Sequence, residues 1–115
     1  MKKWRPPANA FTPDNSHRMI HHVVSFKFTG TPAERLAVAN GFRDALVALP
    51  SQIPQLKSIE VGININTAET WDLVLIAQAD TLADVAAYSA HPAHVAAVQL
   101  IAGHKADRAC VDYEV

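Results

Sequence analysis

Residues 71–79 alternate as a strand does, yet both of the resulting faces are apolar at the centre: Leu73, Leu75 and Ala77 on one side, Val74 and Ile76 on the other. Successive strand side chains point to opposite faces, so this segment has to be covered twice. A sheet with helices on one face and a further layer on the other meets that demand, and few folds of this size do.

The flanking segments supply the rest of such a sheet. Ile20 to Thr29 alternates, with Ile20, His22, Val24, Phe26 and Phe28 on one face and His21, Val23, Ser25 and Lys27 on the other. Thr31-Pro32-Ala33-Glu34 reads as a capping box with proline at the first helical position. Leu36, Ala39, Phe42, Leu46 and Leu49 then recur at helical spacing up to Pro50. A second strand is expected over residues 57–65, with Ile59, Val61, Ile63 and Ile65 on one face, and a turn at Asn66-Thr67-Ala68. After the third strand, Thr81 caps a short helix to Tyr88, and Pro92 opens another helical stretch carrying Val95, Val98 and Ile101 before Gly103. Residues 108–115 alternate again, with Ala109, Val111, Tyr113 and Val115 opposite Arg108, Cys110, Asp112 and Glu114. The order βαββαβ is the ferredoxin-like one, an α+β fold with a four-stranded antiparallel sheet and its helices on one face. Two such sheets packed face to face would bury Val74 and Ile76, so a homodimer is expected on physical grounds.

Composition points the same way and excludes several functions. Half of the 115 residues are hydrophobic and 18% are charged, which is apolar for so small a chain. The net charge of −1, without a basic stripe, argues against nucleic acid as a partner. Cys110 is the single cysteine, so no intrachain disulfide and no cysteine cluster of zinc spacing can form. No apolar run approaches the roughly 20 residues of a membrane span. Residues 1–18, broken by Pro6, Pro7 and Pro13, read as a flexible extension to a domain over residues 19–115. Pro6-Pro7-Ala8-Asn9-Ala10 stands where a secretion signal would carry its apolar run, which gives a cytoplasmic expectation.

Three segments carry a resemblance: Met19-Ile20-His21-His22-Val23-Val24-Ser25-Phe26-Lys27-Phe28, Tyr88-Ser89-Ala90-His91-Pro92-Ala93-His94, and Val111-Asp112-Tyr113. In this order, with Gly62 and Trp71-Asp72 between them, they resemble the stress-responsive α/β-barrel (Dabb) family. The resemblance implies a dimeric α+β barrel with a small cavity in each subunit between sheet and helices. It also implies, from polyketide-cyclase-like members, that Tyr88 and His94 act on a carbonyl substrate and that His22 lies in the same cavity. Val24, Phe26, Phe42 and His91 are the further candidates for substrate contact.

The residue types suit that chemistry. His94 falls in the first turn of a helix, where the dipole disfavours imidazolium and keeps the ring available as a base. Tyr88 can donate a hydrogen bond to a developing oxyanion. His21 and His22 point to opposite faces, so only His22 can join His94. A purely structural assignment fits the same residues: His91 caps a helix, His94 bonds a backbone group, and Tyr88 packs with its hydroxyl at the rim. Trp71 and Phe42 fall on apolar faces and are expected in the core. His91 and His94 at i, i+3 could chelate a metal, but no third ligand lies at a suitable spacing nearby, and no phosphate loop or nucleophile motif is present, so neither a cofactor nor a metal is expected. Three function classes stay open: a cofactor-independent cyclase or lyase acting on a small carbonyl compound, a non-catalytic ligand-binding or scaffold dimer, and a monooxygenase-like member of the same architecture.

Overall fold

A computed structural model describes residues 18–115, and the expected extension over residues 1–17 lies outside the described residues. Strand β1 (Ile20–Phe28) leads through Gly30 into helix α1 (Pro32–Val47), followed by β2 (Ser58–Ile63), β3 (Leu73–Ala79), α2 (Leu82–Ala90), α3 (Pro92–Gln99) and β4 (Lys105–Glu114). The sheet order is β2-β3-β1-β4, antiparallel throughout, which is the ferredoxin-like arrangement.

Local chemistry sets these boundaries. Gly30 has φ +110°, a left-handed conformation that lets the chain leave β1 abruptly. The capping box forms as expected: Glu34 N–H donates to Thr31 Oγ1 (3.2 Å), and Thr31 N–H donates to Glu34 Oε1 (3.1 Å). Strand β2 stops at Ile63, short of the expected Ile65, because Asn64 and Asn66 capture the backbone. Asn66 N–H donates to Asn64 Oδ1 (2.8 Å), and Ala68 N–H donates to Asn66 Oδ1 (3.0 Å). Ile65 is left 96% exposed.

Val24, Phe26 and Phe28 of β1 and Leu73, Leu75 and Ala77 of β3 form the core with Ala39, Phe42 and Leu46 of α1. Full burial of such a side chain stabilises the fold by about 1.5–3 kcal/mol. Asp72 fastens one end of this core. Its Oδ2 accepts from Phe28 N–H (2.7 Å), and its Oδ1 accepts from Arg35 Nε (3.2 Å), which joins β1, α1 and the entry to β3.

Three sequence expectations are corrected here. Leu36 is half exposed, because α1 turns its Ala39, Phe42 and Leu46 side inward. Trp71 precedes β3 and is only part-buried; the Lys27 ammonium sits 4.7 Å from its ring centroid, so the indole serves a cation–π contact. On α3 the inward residue is Ala97, followed by Ile101, while Val95 is exposed.

The face of the sheet opposite the helices carries Val74 and Ile76 as expected, and neither is buried. Strand β4, at the sheet edge, is exposed along its whole length, with Val111 and Tyr113 at 61% and 45%. Among the described residues, no helix is long and apolar enough to cross a membrane.

Candidate functional site

Register places the first component of the site. In β1, His22 shares the helix-facing side with Val24 and Phe26 and is itself only 6% exposed. It lies opposite Asp112 of β4, and Val24 lies opposite Cys110. His22 Nδ1–H donates to Asp112 Oδ1 at 2.5 Å, and the Cys110 Sγ lies 3.5 Å from the same nitrogen. That hydrogen bond leaves the His22 Nε2 for another partner.

A proline-directed break supplies the second component. The residue before proline is driven out of the helical region. His91 accordingly adopts φ −62° and ψ 136°, ending α2 and starting α3. Its Nδ1 accepts from Ala93 N–H (3.0 Å) and so caps the new helix. The turn carries His94 back over Tyr88, with ring centroids 4.5 Å apart and a tilt of 53°. His22 meets the same tyrosine edge-on at 6.1 Å. Tyr88, His94 and His22 therefore converge, although His22 and Tyr88 lie 66 positions apart in the chain.

Their protonation follows from burial. Tyr88 is 1% exposed, and its phenol is pushed up to about 12, chiefly by desolvation and in spite of the nearby Arg108 charge. It is a neutral donor at physiological pH, and its hydroxyl is buried without a hydrogen-bond partner among the described residues. His94 is held below the ordinary histidine value, first by burial and further by the positive fields of His22 and Arg108, against the opposing Ser89 carbonyl. A carbonyl can only accept, so His94 Nδ1–H donates to Ser89 O (2.9 Å). The lone pair of the neutral ring is then on Nε2, as a base requires. Burial and the neighbouring Asp112 carboxylate push the Cys110 thiol up.

The remaining sequence candidates fall elsewhere. Val24, Phe26 and Phe42 are buried in the core, where the Phe26 and Phe42 rings meet edge-on at 5.4 Å. Two cavities, of about 750 and 340 Å³, lie toward the other end of β1. The larger is lined by Phe28, Arg35, Leu36 and Asp72, the smaller by Ser25, Gly62, Trp71 and Val74, and neither includes Tyr88, His94 or His22. Next to His22, Cys110 and Asp112 of β4 are exposed. Asp112, Cys110 and Arg108 were not among the sequence candidates; their shared face in the last strand was the available signal.

The stress responsive A/B barrel domain model matches residues 20–115. The chain belongs to that family. A dimeric protein of unknown function with a ferredoxin-like fold from Bacteroides fragilis is 45% identical, with a TM-score of 0.81, and the match covers 84% of this chain and 96% of that one. A dimeric ferredoxin-like protein of unknown function from Thermobifida fusca is 32% identical, with a TM-score of 0.70, and the match covers 85% of this chain and 92% of that one. Hydroxynitrile lyase from Passiflora edulis shares the fold at 11% identity, with a TM-score of 0.68 and 84% and 93% of the two chains covered. No curated protein matches this Dabb chain.

The depressed His94 value has a testable sign. Below the ordinary value of 6.5 the unfolded chain takes up a proton that the folded imidazole refuses, so stability falls on acidification through that range. An NMR titration of the histidine ring protons is expected to show His94 titrating below 6.5. Urea denaturation should show a loss of stability as the pH falls through 6.5 that is shallower in His94→Gln. A midpoint above the ordinary value would contradict this reading.

Proposed function

We propose that this Dabb protein is a homodimeric, cofactor-independent acid–base catalyst acting on a small carbonyl compound, with His94 as base and Tyr88 as oxyanion donor. The observation that carries the reading is the Tyr88 hydroxyl, buried without a hydrogen-bond partner among the described residues, on a ring that meets two imidazoles. Leaving a buried donor unsatisfied costs about 1–3 kcal/mol, and a ligand oxygen at that point removes the cost. The structural duties of His91 and His94, a helix cap and a bond to Ser89, would be enough for a scaffold, but they leave this hydroxyl unexplained.

In the proposed reaction the His94 Nε2 takes a proton from the carbon next to a carbonyl. The electron pair moves onto the carbonyl oxygen, where Tyr88 donates to the enolate. The enolate carbon then attacks a second carbonyl of the same molecule, and the proton returns from His94 to the new alkoxide. His22, held by Asp112, orients the substrate. An intramolecular aldol-type cyclisation is balanced by these groups alone, and the hydroxynitrile lyase neighbour indicates that the fold tolerates lyase chemistry. Cytoplasmic residence suits a chain with one reduced cysteine.

The dimer follows from the uncovered face of the sheet. Val74 and Ile76 need a covering layer, β4 ends the sheet among the described residues, and the Bacteroides and Thermobifida relatives are dimeric.

A screen of small diketones and polyketide-like compounds is expected to yield turnover that His94→Ala abolishes and Tyr88→Phe slows by roughly 10²–10³-fold, with melting temperature nearly unchanged. Full activity in His94→Ala would remove the catalytic reading. In gel filtration the wild type should elute as a dimer and Val74→Asp as monomer or aggregate, because the charge would be buried without a partner. A monomeric wild type at micromolar concentration would rule the dimer out.

A further inference from the structure

Cys110 and Asp112 stand at alternate positions of β4 and so share the face that meets His22. Three donor atoms of different kinds meet there: His22 Nδ1, Cys110 Sγ and an Asp112 carboxylate oxygen, all within 4.8 Å of one another. From this convergence we infer that the His22–Cys110–Asp112 cluster is a zinc-binding site.

The geometry separates a chelate from a nucleophilic relay. In a cysteine–histidine–aspartate relay the thiol and the carboxylate engage opposite nitrogens of the ring. Here both lie against the same nitrogen, with Sγ at 3.5 Å and Oδ1 at 2.5 Å from Nδ1 and Sγ at 3.7 Å from Oδ1. Zinc bonds of about 2.3 Å to sulfur and about 2.1 Å to nitrogen or oxygen, at tetrahedral angles, separate such donors by roughly 3.4–3.6 Å. The two sulfur edges already match. The His22–Asp112 edge has to open by about 1 Å from its hydrogen-bonded length, a rotation within reach of a carboxylate side chain that is 34% exposed.

The donor set selects the ion. One thiolate, one imidazole and one carboxylate suit a borderline cation such as Zn²⁺, whereas magnesium and calcium demand oxygen donors. Buried His22 supplies a fixed anchor and exposed Cys110 and Asp112 supply an entry path. Three protein ligands leave the fourth position open, as in zinc centres that bind water or a substrate. The metal replaces the protons on Nδ1 and on the thiol, so its affinity rises with pH.

Zinc would take His22 and Asp112 from the hydrogen bond that orients the substrate in the proposed reaction, but its readout is binding and not turnover, so the failure of one is distinguishable from the failure of the other. Cobalt(II) titrated into the full-length chain is the direct probe. Cys110 is the only cysteine, so a thiolate-to-cobalt charge-transfer band in the near ultraviolet can arise from no other residue. The expected result is one cobalt per chain, with that band, tetrahedral d–d absorption, and displacement of both by zinc. Cys110→Ser, at an exposed position that should not disturb folding, should abolish the band. His22→Gln and Asp112→Asn should each weaken binding by more than the roughly 10–100-fold that loss of an outer-shell partner costs. Absence of the band at saturating cobalt, or a band unchanged in His22→Gln or Asp112→Asn, would overturn the assignment.

Discussion

Strand β1 is hydrogen-bonded on both edges, to β3 and to β4, and its two-residue alternation decides which side chains enter the molecule. Val24, Phe26 and Phe28 anchor that alternation by occupying the core, and His22 is carried inward on the same face. A slip of one residue would send all four outward and bring in His21, which instead contacts Tyr113 on the other side at 3.2 Å. The apolar part of the strand thus fixes the position of a polar residue that contributes little to burial itself. Asp112 and Cys110 inherit their places from the same register.

The second determinant is Pro92. By forcing His91 out of the helical region it splits what would be one helix into α2 and α3, and the bend brings His94 over Tyr88. A continuous helix would put residues 88 and 94 six positions apart, on different sides of the cylinder. The cap made by His91 and the bond from His94 to Ser89 hold this bend. Neither bond uses Nε2 of His94, and the hydroxyl of Tyr88 has no hydrogen-bond partner among the described residues. In a domain whose net stability is about 5–15 kcal/mol, a buried donor without a partner is a sizeable local cost. Such departures from local consistency are expected where function is placed.

The elements and their order were legible because each rests on a local pattern: alternation in β1, the Thr31–Glu34 box, the Thr81 cap, and the proline before α3. The errors share a cause. Ile65, Leu36 and Val95 are apolar residues in register with their neighbours, and only the Asn64–Asn66 turn and the approach of α3 to its neighbours decide that they face solvent. The site divided in the same way. Tyr88 and His94 sit within one short segment that the family resemblance singles out as a pair, whereas His22 and Asp112 lie 90 residues apart and meet only through strand register. The alternation of the last strand grouped Arg108, Cys110 and Asp112 on a face, but no local signal said which face of β1 they would join.

Central to this account is the Tyr88 hydroxyl as a hydrogen-bond donor to a bound carbonyl. The infrared stretch of a carbonyl-¹³C-labelled aromatic ketone, bound at saturation, reports that bond without requiring turnover. The carbonyl band is expected at lower frequency in the wild-type protein than in Tyr88→Phe, because the phenol polarises the C=O bond. The same frequency in both proteins would contradict the account and leave Tyr88 a packing residue.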